Sequence, residues 1–331
     1  MAALDASSAR RWLADEAAAQ KTTMPSSRPK IVRFSRPRSK ADSPAAAGES
    51  IEDEPGSFGG RDLRALVFAA AAAVLLAAPA RAEDCGHGPQ GFGEWLNSFK
   101  RVAVGNGISP RAFDAALGGV SYDPAVKRHD GGVAMFGHNL AGFEASHVTR
   151  GMVARGRAEL RRYAAPLATI ERRFGVPGPV LVAIWGLETS FGGDIGSFPT
   201  YSALATLAWD CRRAERYRAE LVDALKLVDR GIVAEPHALR GAWAGEIGQT
   251  QLMPSAYLMF ATTPDGSGTP DLIHNSADAL ASTANFLRAH GWQPGAGWDE
   301  GEPNFAAILQ WNSAPIYAKT VALFADRLTG R

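Results

Sequence analysis

The stretch VPGPVLVAIWGLETSFGG, residues 176–193, limits the fold more than any other part of this sequence. From Val180 to Leu187 no residue offers a polar side chain to solvent. Gly175-Val176-Pro177 stops any preceding helix, and Pro179 suits the first turn of a new one that runs to about Thr189. A helix that is apolar all round must be covered all round, so this one belongs at the centre of a helical shell. Within AIWGLETSFG, 183–192, the only charge is the carboxylate of Glu188. Glu is rarely fully buried without a partner or a function. Desolvation disfavours the charged form and raises the pKa, and a carboxyl still protonated near neutral pH is what a general acid needs. A structural Glu tied to an Arg or to backbone N–H groups accounts for the placement equally well. The stretch alone leaves both readings open.

The chain of 331 residues, 46% hydrophobic and 21% charged, is long enough for one large domain. Its formal net charge of +1 gives no overall field toward nucleic acid. The first sixty residues are rich in Arg, Lys, Ser, Pro and Ala, and read as a disordered extension, 1–60, that a start assigned upstream would explain. Arg61 and Arg64 then precede an uncharged run from Ala65 to Ala80 and the A-x-A of Ala80-Arg81-Ala82. That pattern predicts a secretory signal over 61–82, cleaved after Ala82, because a membrane span needs about 20 residues. The mature chain would be a soluble exported protein, 83–331. Both cysteines, Cys85 and Cys211, fall within it. An oxidising compartment permits their pairing, but the sequence does not establish it.

Helical periods dominate the rest. Phe92, Trp95, Leu96, Phe99 and Val102 mark a helix from 92, and Ser109-Pro110 opens another. The run 149–174 reads as one long amphipathic helix. Others are predicted at 201–209, 212–229, 276–290, 303–310 and 316–328. Between 230 and 275 the chain is rich in Gly and Pro and reads as loop. The expected fold is mostly α, with a Gly-rich loop region and little β.

Part of that region, GAWAGEIGQTQLMP (241–254), places Gln249 and Gln251 among glycines that allow close backbone approach. Glu188 in IWGLETSFG, then GAWAGEIGQTQLMPSAY, NFLRAHGW and LQWNS resemble, in order and spacing, the lytic murein transglycosylase B family. The resemblance covers most of 83–331. It implies a lysozyme-like helical catalytic domain that cleaves peptidoglycan between N-acetylmuramic acid and N-acetylglucosamine without water, leaving 1,6-anhydro ends. It also implies that Glu188 is the acid/base and that Gln251 contacts substrate. Arg212 and Arg213 match a double arginine lining the groove, with a solvated helix face as the plainer reading. Trp311-Asn312 match an aromatic-Asn pair, and Phe143 falls on a tyrosine. Ala242 replaces a frequent serine and Glu246 a small residue. TTPDGSGTPDL, 262–272, resembles a loop that binds calcium in some members. It keeps only Asp265 and Asp271, too few carboxylates for an ion that takes six to eight oxygens, so no metal or cofactor is expected.

Trp185, Phe191, Tyr257 and Trp311 are candidate surfaces for stacking sugars, with core packing the alternative for each. A hydrolase normally needs two carboxylates, whereas one suffices if the substrate's own hydroxyl attacks. The expected partners are peptidoglycan glycan strands and cell-wall synthesis machinery, with the protein a periplasmic monomer that binds no nucleic acid. Two other readings stay open: a muramidase using Glu246 as second carboxylate, and a non-catalytic peptidoglycan-binding protein. The seven histidines form no HExxH, and neither a Walker nor a nucleophile-elbow pattern occurs.

Overall fold

The computed structural model describes residues 85–130 and 140–330. The expected extension and secretory signal, 1–82, lie outside them. The helices are α1 (Phe92–Gly105), α2 (Pro110–Leu117), α3 (Pro124–Asp130), α4 (Leu140–His147), α5 (Arg150–Arg162), α6 (Ala164–Phe174) and α7 (Gly178–Thr189). They continue as α8 (Thr200–Trp209), α9 (Ala214–Asp229), α10 (Pro254–Phe260), α11 (Ser276–Ala289), α12 (Phe305–Trp311) and α13 (Pro315–Thr329). β1 (Phe198–Pro199) and β2 (Arg240–Gly241) form one antiparallel pair, Phe198 opposite Gly241. This pair fastens the start of the Gly-rich loop to the segment that follows α7.

Three expectations are corrected. The run 149–174 is two helices that meet at Tyr163. Pro166 lacks the N–H that would reach back to Arg162, and its ring crowds that carbonyl. The helix expected from 212 starts at Ala214, and the segment 230–275 contains α10, started by Pro254. Ser109 and Thr149 cap α2 and α5 by accepting from Ala112 N and Met152 N.

Helix α7 is buried along its whole length apart from Pro179, and packs against α13, α5, α11 and α6. Gly186 permits the tightest approach: a Cβ there would lie 2.9 Å from both the Phe191 and Phe324 rings. Around α7 forms one apolar cluster, including Val180, Leu181, Ile184, Trp292 and Phe324. A second gathers α1, α2, α8, α9 and the Gly-rich loop around Trp95, Trp209, Tyr217 and Trp243. Phe286 and Trp311 pack against both clusters and mark the seam between them.

Cys85 and Cys211 are joined, with Cα atoms 4.9 Å apart across a sequence separation of 126. Gly86 N donates to Trp209 O at 2.9 Å and Cys211 N to Gly86 O at 3.1 Å, so the cross-link is continued by backbone pairing. Among the described residues, no helix is long and apolar enough to cross a membrane.

Closing so long a loop is expected to contribute about 2–4 kcal/mol. Dithiothreitol should therefore lower the melting temperature of the wild type and leave that of Cys85→Ser/Cys211→Ser unmoved. Gly186→Ala should cost about 1–3 kcal/mol by overpacking; an unchanged denaturation midpoint would contradict the close packing of α7 on α13.

Candidate active site

Glu188 is the penultimate residue of α7 and is 3% exposed. The helix ends abruptly because Ser190, Phe191 and Gly192 have φ of 50°, 60° and 74°. Such angles are costly for residues with a Cβ and persist where the surroundings hold them. Among the described residues the non-glycine positions with positive φ are Ser190, Phe191 and Gln251. All of them lie in the two motifs that carry Glu188 and Gln251. The two segments are joined directly: Thr189 Oγ1 donates to Gln249 O at 2.5 Å, and Gln251 Nε2 to Ile195 O at 3.2 Å. Gly248, with φ 79°, makes the turn; a Cβ there would come within 2.5 Å of Leu272 O.

Two donors meet on Glu188 Oε1. Tyr317 Oη donates at 2.7 Å and Trp311 Nε1 at 3.1 Å. Burial, followed by the charge of Glu188 and the hydrogen bond to it, holds the Tyr317 phenol well above its ordinary range, so it stays a neutral donor. Burial favours the neutral form of a carboxyl, while donors aimed at it favour the ionised form. A group under both influences can change protonation state within one reaction. Tyr317 was not among the candidates from sequence. The available sign was the lone tyrosine of the segment 315–329, six residues past Trp311.

Gln251 is 9% exposed and its amide donates to Gly248 O at 2.7 Å as well as to Ile195 O. These bonds fix the orientation of the amide and leave Oε1 buried with no partner among the described residues. Asn312 ends α12 and accepts from Ala314 N, just before α13, at 3.0 Å, and its Nδ2 is likewise buried without a partner among them. An unmet buried polar atom costs about 1–3 kcal/mol. One spare acceptor and one spare donor suit a ligand bearing hydroxyl and amide groups.

Other candidates are placed elsewhere. Tyr257 is 2% exposed, and its hydroxyl donates to Pro270 O and accepts from Leu272 N, so it braces the 262–272 loop and presents no ring to a groove. Phe143 is buried and stacks on His147 with ring centres 4.0 Å apart. Trp185 and Phe191 are buried edge-to-face against one another in the α7 cluster. Trp311 contacts Phe286 edge-on and is the stacking candidate that reaches Glu188. Arg212 and Arg213 precede α9 and both pair with Asp130, which is 1% exposed. Arg213 is itself buried between Tyr217 and Trp243, so neither a solvated helix face nor an open groove describes it. Arg212 keeps a partly exposed side chain. Burial pushes the Tyr217 phenol up, with Glu246 adding a smaller push the same way; for Arg213 burial works downward and is outweighed by Tyr217, Asp130 and, least of all, Glu246. Gln249 is internal: Nε2 donates to Ile273 O, and Oε1 accepts from Ser276. Asp265 accepts from Thr263 and Ser267, and Asp271 from Ile273 and His274, so this loop's carboxylates serve the loop. Those bonds hold both groups below the ordinary carboxylate range against the opposing effect of burial. Two carboxylates so engaged are a poor fit to calcium.

The transglycosylase SLT domain family matches residues 91–302. Membrane-bound lytic murein transglycosylase B of Escherichia coli (strain K12) is 39% identical over 123 residues, 37% of this chain and 34% of the relative, so the chain spans about a third of that relative's length in the match. SltB3 from Pseudomonas aeruginosa, solved in complex with NAG-anhNAM-pentapeptide, superposes with a TM-score of 0.68 at 30% identity, covering 72% of this chain and 80% of that one. Its complex with NAG-NAM-pentapeptide gives 0.69 with the same identity and coverage. Slt35 from Escherichia coli, solved with bulgecin A, shares the fold, with a TM-score of 0.64 at 24% identity over 71% of this chain and 92% of that one. With its central helix, its joined motifs and these matches, the chain belongs to the transglycosylase SLT domain family, among the lytic murein transglycosylases of type B.

Proposed function

We propose that this protein is a peptidoglycan lytic transglycosylase that cleaves the bond between N-acetylmuramic acid and N-acetylglucosamine without water, with Glu188 as its single acid and base. The observation that carries this reading is a buried carboxyl at the end of α7 with two neutral donors, Tyr317 and Trp311, on one oxygen. Glu246, the alternative second carboxylate, is electrostatically engaged with Arg213 and Tyr217. The anhydro sugar in the SltB3 complex is the product this chemistry requires.

In the first step the Glu188 carboxyl gives its proton to the glycosidic oxygen, and the N-acetylglucosamine alcohol departs. Tyr317 and Trp311 stabilise the carboxylate left behind. That carboxylate then takes the proton of the muramic acid 6-hydroxyl as its oxygen closes on C1, so no water and no second acid are needed. Making the attack intramolecular supplies several kcal/mol, up to about 7–11. The substrate's N-acetyl oxygen assists at the cationic centre, while Gln251 Oε1 and Asn312 Nδ2 hold its polar groups. The protein works on glycan strands as a periplasmic monomer without a metal. The Cys85–Cys211 cross-link fits an oxidising compartment.

Glu188→Gln should lose at least about 100-fold in turnover while melting like the wild type. Mass spectrometry of digested peptidoglycan should show anhydro ends; reducing ends in their place would make the enzyme a muramidase, and unchanged turnover in the variant would remove Glu188 from the chemistry. Tyr317→Phe removes a donor that favours the ionised carboxylate, so the protonated, active form should persist to higher pH. The falling alkaline limb of kcat/KM should move upward, along with a lower maximum rate. A limb that stays in place or moves down would deny Tyr317 this influence.

A further inference from the structure

Beyond the far end of α13 from Tyr317, a cleft of about 560 Å³ opens against α5. Its polar lining is Arg150, Arg157 and Arg327, and its apolar lining includes Val148, Val153 and Ala154. Arg157 Nε donates to Leu328 O at 3.3 Å and its Nη2 to Arg327 O at 2.5 Å, while Arg327 Nη1 donates to Val148 O at 3.0 Å. Carbonyls thus hold two guanidinium groups in position without neutralising them, and each keeps further N–H groups. The Arg150 side chain, at the start of α5, forms no hydrogen bond or ion pair with any described residue. Several other cations do have carboxylate partners: Lys100 with Asp114, Lys127 with Asp210, Lys319 with Glu300. Among the described residues, none of the three arginines of the cleft has a carboxylate within ion-pair distance.

Two guanidinium groups held by carbonyls and a third, Arg150, with no carboxylate partner among the described residues, all beside small apolar side chains, suit a ligand with a carboxylate and short aliphatic groups, since the arginine fork pairs carboxylates two bonds at a time. The geometry points to the peptide stem of the glycan strand: we propose that this cleft takes the carboxylate end of that stem while the sugars lie at Glu188, a proposal that rests on the function assigned above. The reach agrees. Tyr317 and Leu328 are eleven residues apart on α13, roughly 16 Å of helix, and five extended residues span at most about 17 Å. A bilayer fits less well, because the exposed large apolar residues, Val102, Val104 and Met259, lie on α1 and α10, away from the cleft.

The test measures calorimetric binding of NAG-NAM and NAG-NAM-pentapeptide to the full chain carrying Glu188→Gln, which prevents turnover. The pentapeptide should tighten binding roughly tenfold, the effect of one or two charge-assisted hydrogen bonds. Adding Arg150→Gln, which removes no described hydrogen bond and so spares the fold, should cut that ratio to about twofold. Arg150→Glu should bring it below one. A ratio of one in the parent, or a tenfold ratio that survives both substitutions, overturns the proposal. So does binding to vesicles of anionic lipid that depends on Arg150 while the peptide changes nothing. Release of anhydro ends from peptide-free strands by the unsubstituted chain reports on the proposed function separately, whatever this ratio is.

Discussion

A helix with no polar face can exist in water only inside a shell of other helices, and α7 is such a helix. Much of the architecture around it answers to that requirement. Helices α5, α6, α11 and α13 supply the cover, and Gly186 lets Phe191 and Phe324 close against the backbone. The same cover excludes water from Glu188. Carboxyl chemistry is therefore a by-product of the packing demand: whatever sits at the last turn of α7 is desolvated before any ligand arrives.

The second requirement is to halt α7 within two residues of that carboxyl. Ser190 and Phe191 accept left-handed backbone to do so, and Gln251 does the same across the way. Each position is braced from outside its own segment, by Thr189 on Gln249 and by Gln251 on Ile195. Strain at these positions is tolerated because two separate stretches of chain hold one another in place. The site lies near the seam marked by Trp311 and Phe286, where two apolar clusters meet.

The central helix, the caps at Ser109 and Thr149, and the Gly-rich loop were legible because each depends on residues close in sequence. Glu188 stood out for the same reason, being a charge in a run without any. The break at Tyr163 was legible too, had Pro166 been weighed against the amphipathic period. Rings were harder. A ring carries no sign of which side it will turn to, so stacking and core packing stayed open for Tyr257 and Phe191, and both are buried, as is Phe143. The pairing of Arg212 and Arg213 was not legible because their counter-ion, Asp130, stands 82 residues before Arg212. Tyr317 was missed because its value depends on α13 crossing α7, a fact of packing that no local pattern encodes.

The Cys85–Cys211 link has a mechanical meaning. Cys85 is where the described domain begins, and its covalent bond leads straight to the turn that carries Arg212 and Arg213. A pull on the chain from before Cys85 would pass through sulfur into Cys211 and spread into the cluster around Trp209 and Tyr217. Tyr317 and the apolar residues of α7 belong to the other cluster, which meets the first at Trp311 and Phe286. A tether on the N-terminal side would therefore load first the cluster around Trp209 and Tyr217, on the far side of the seam from α7.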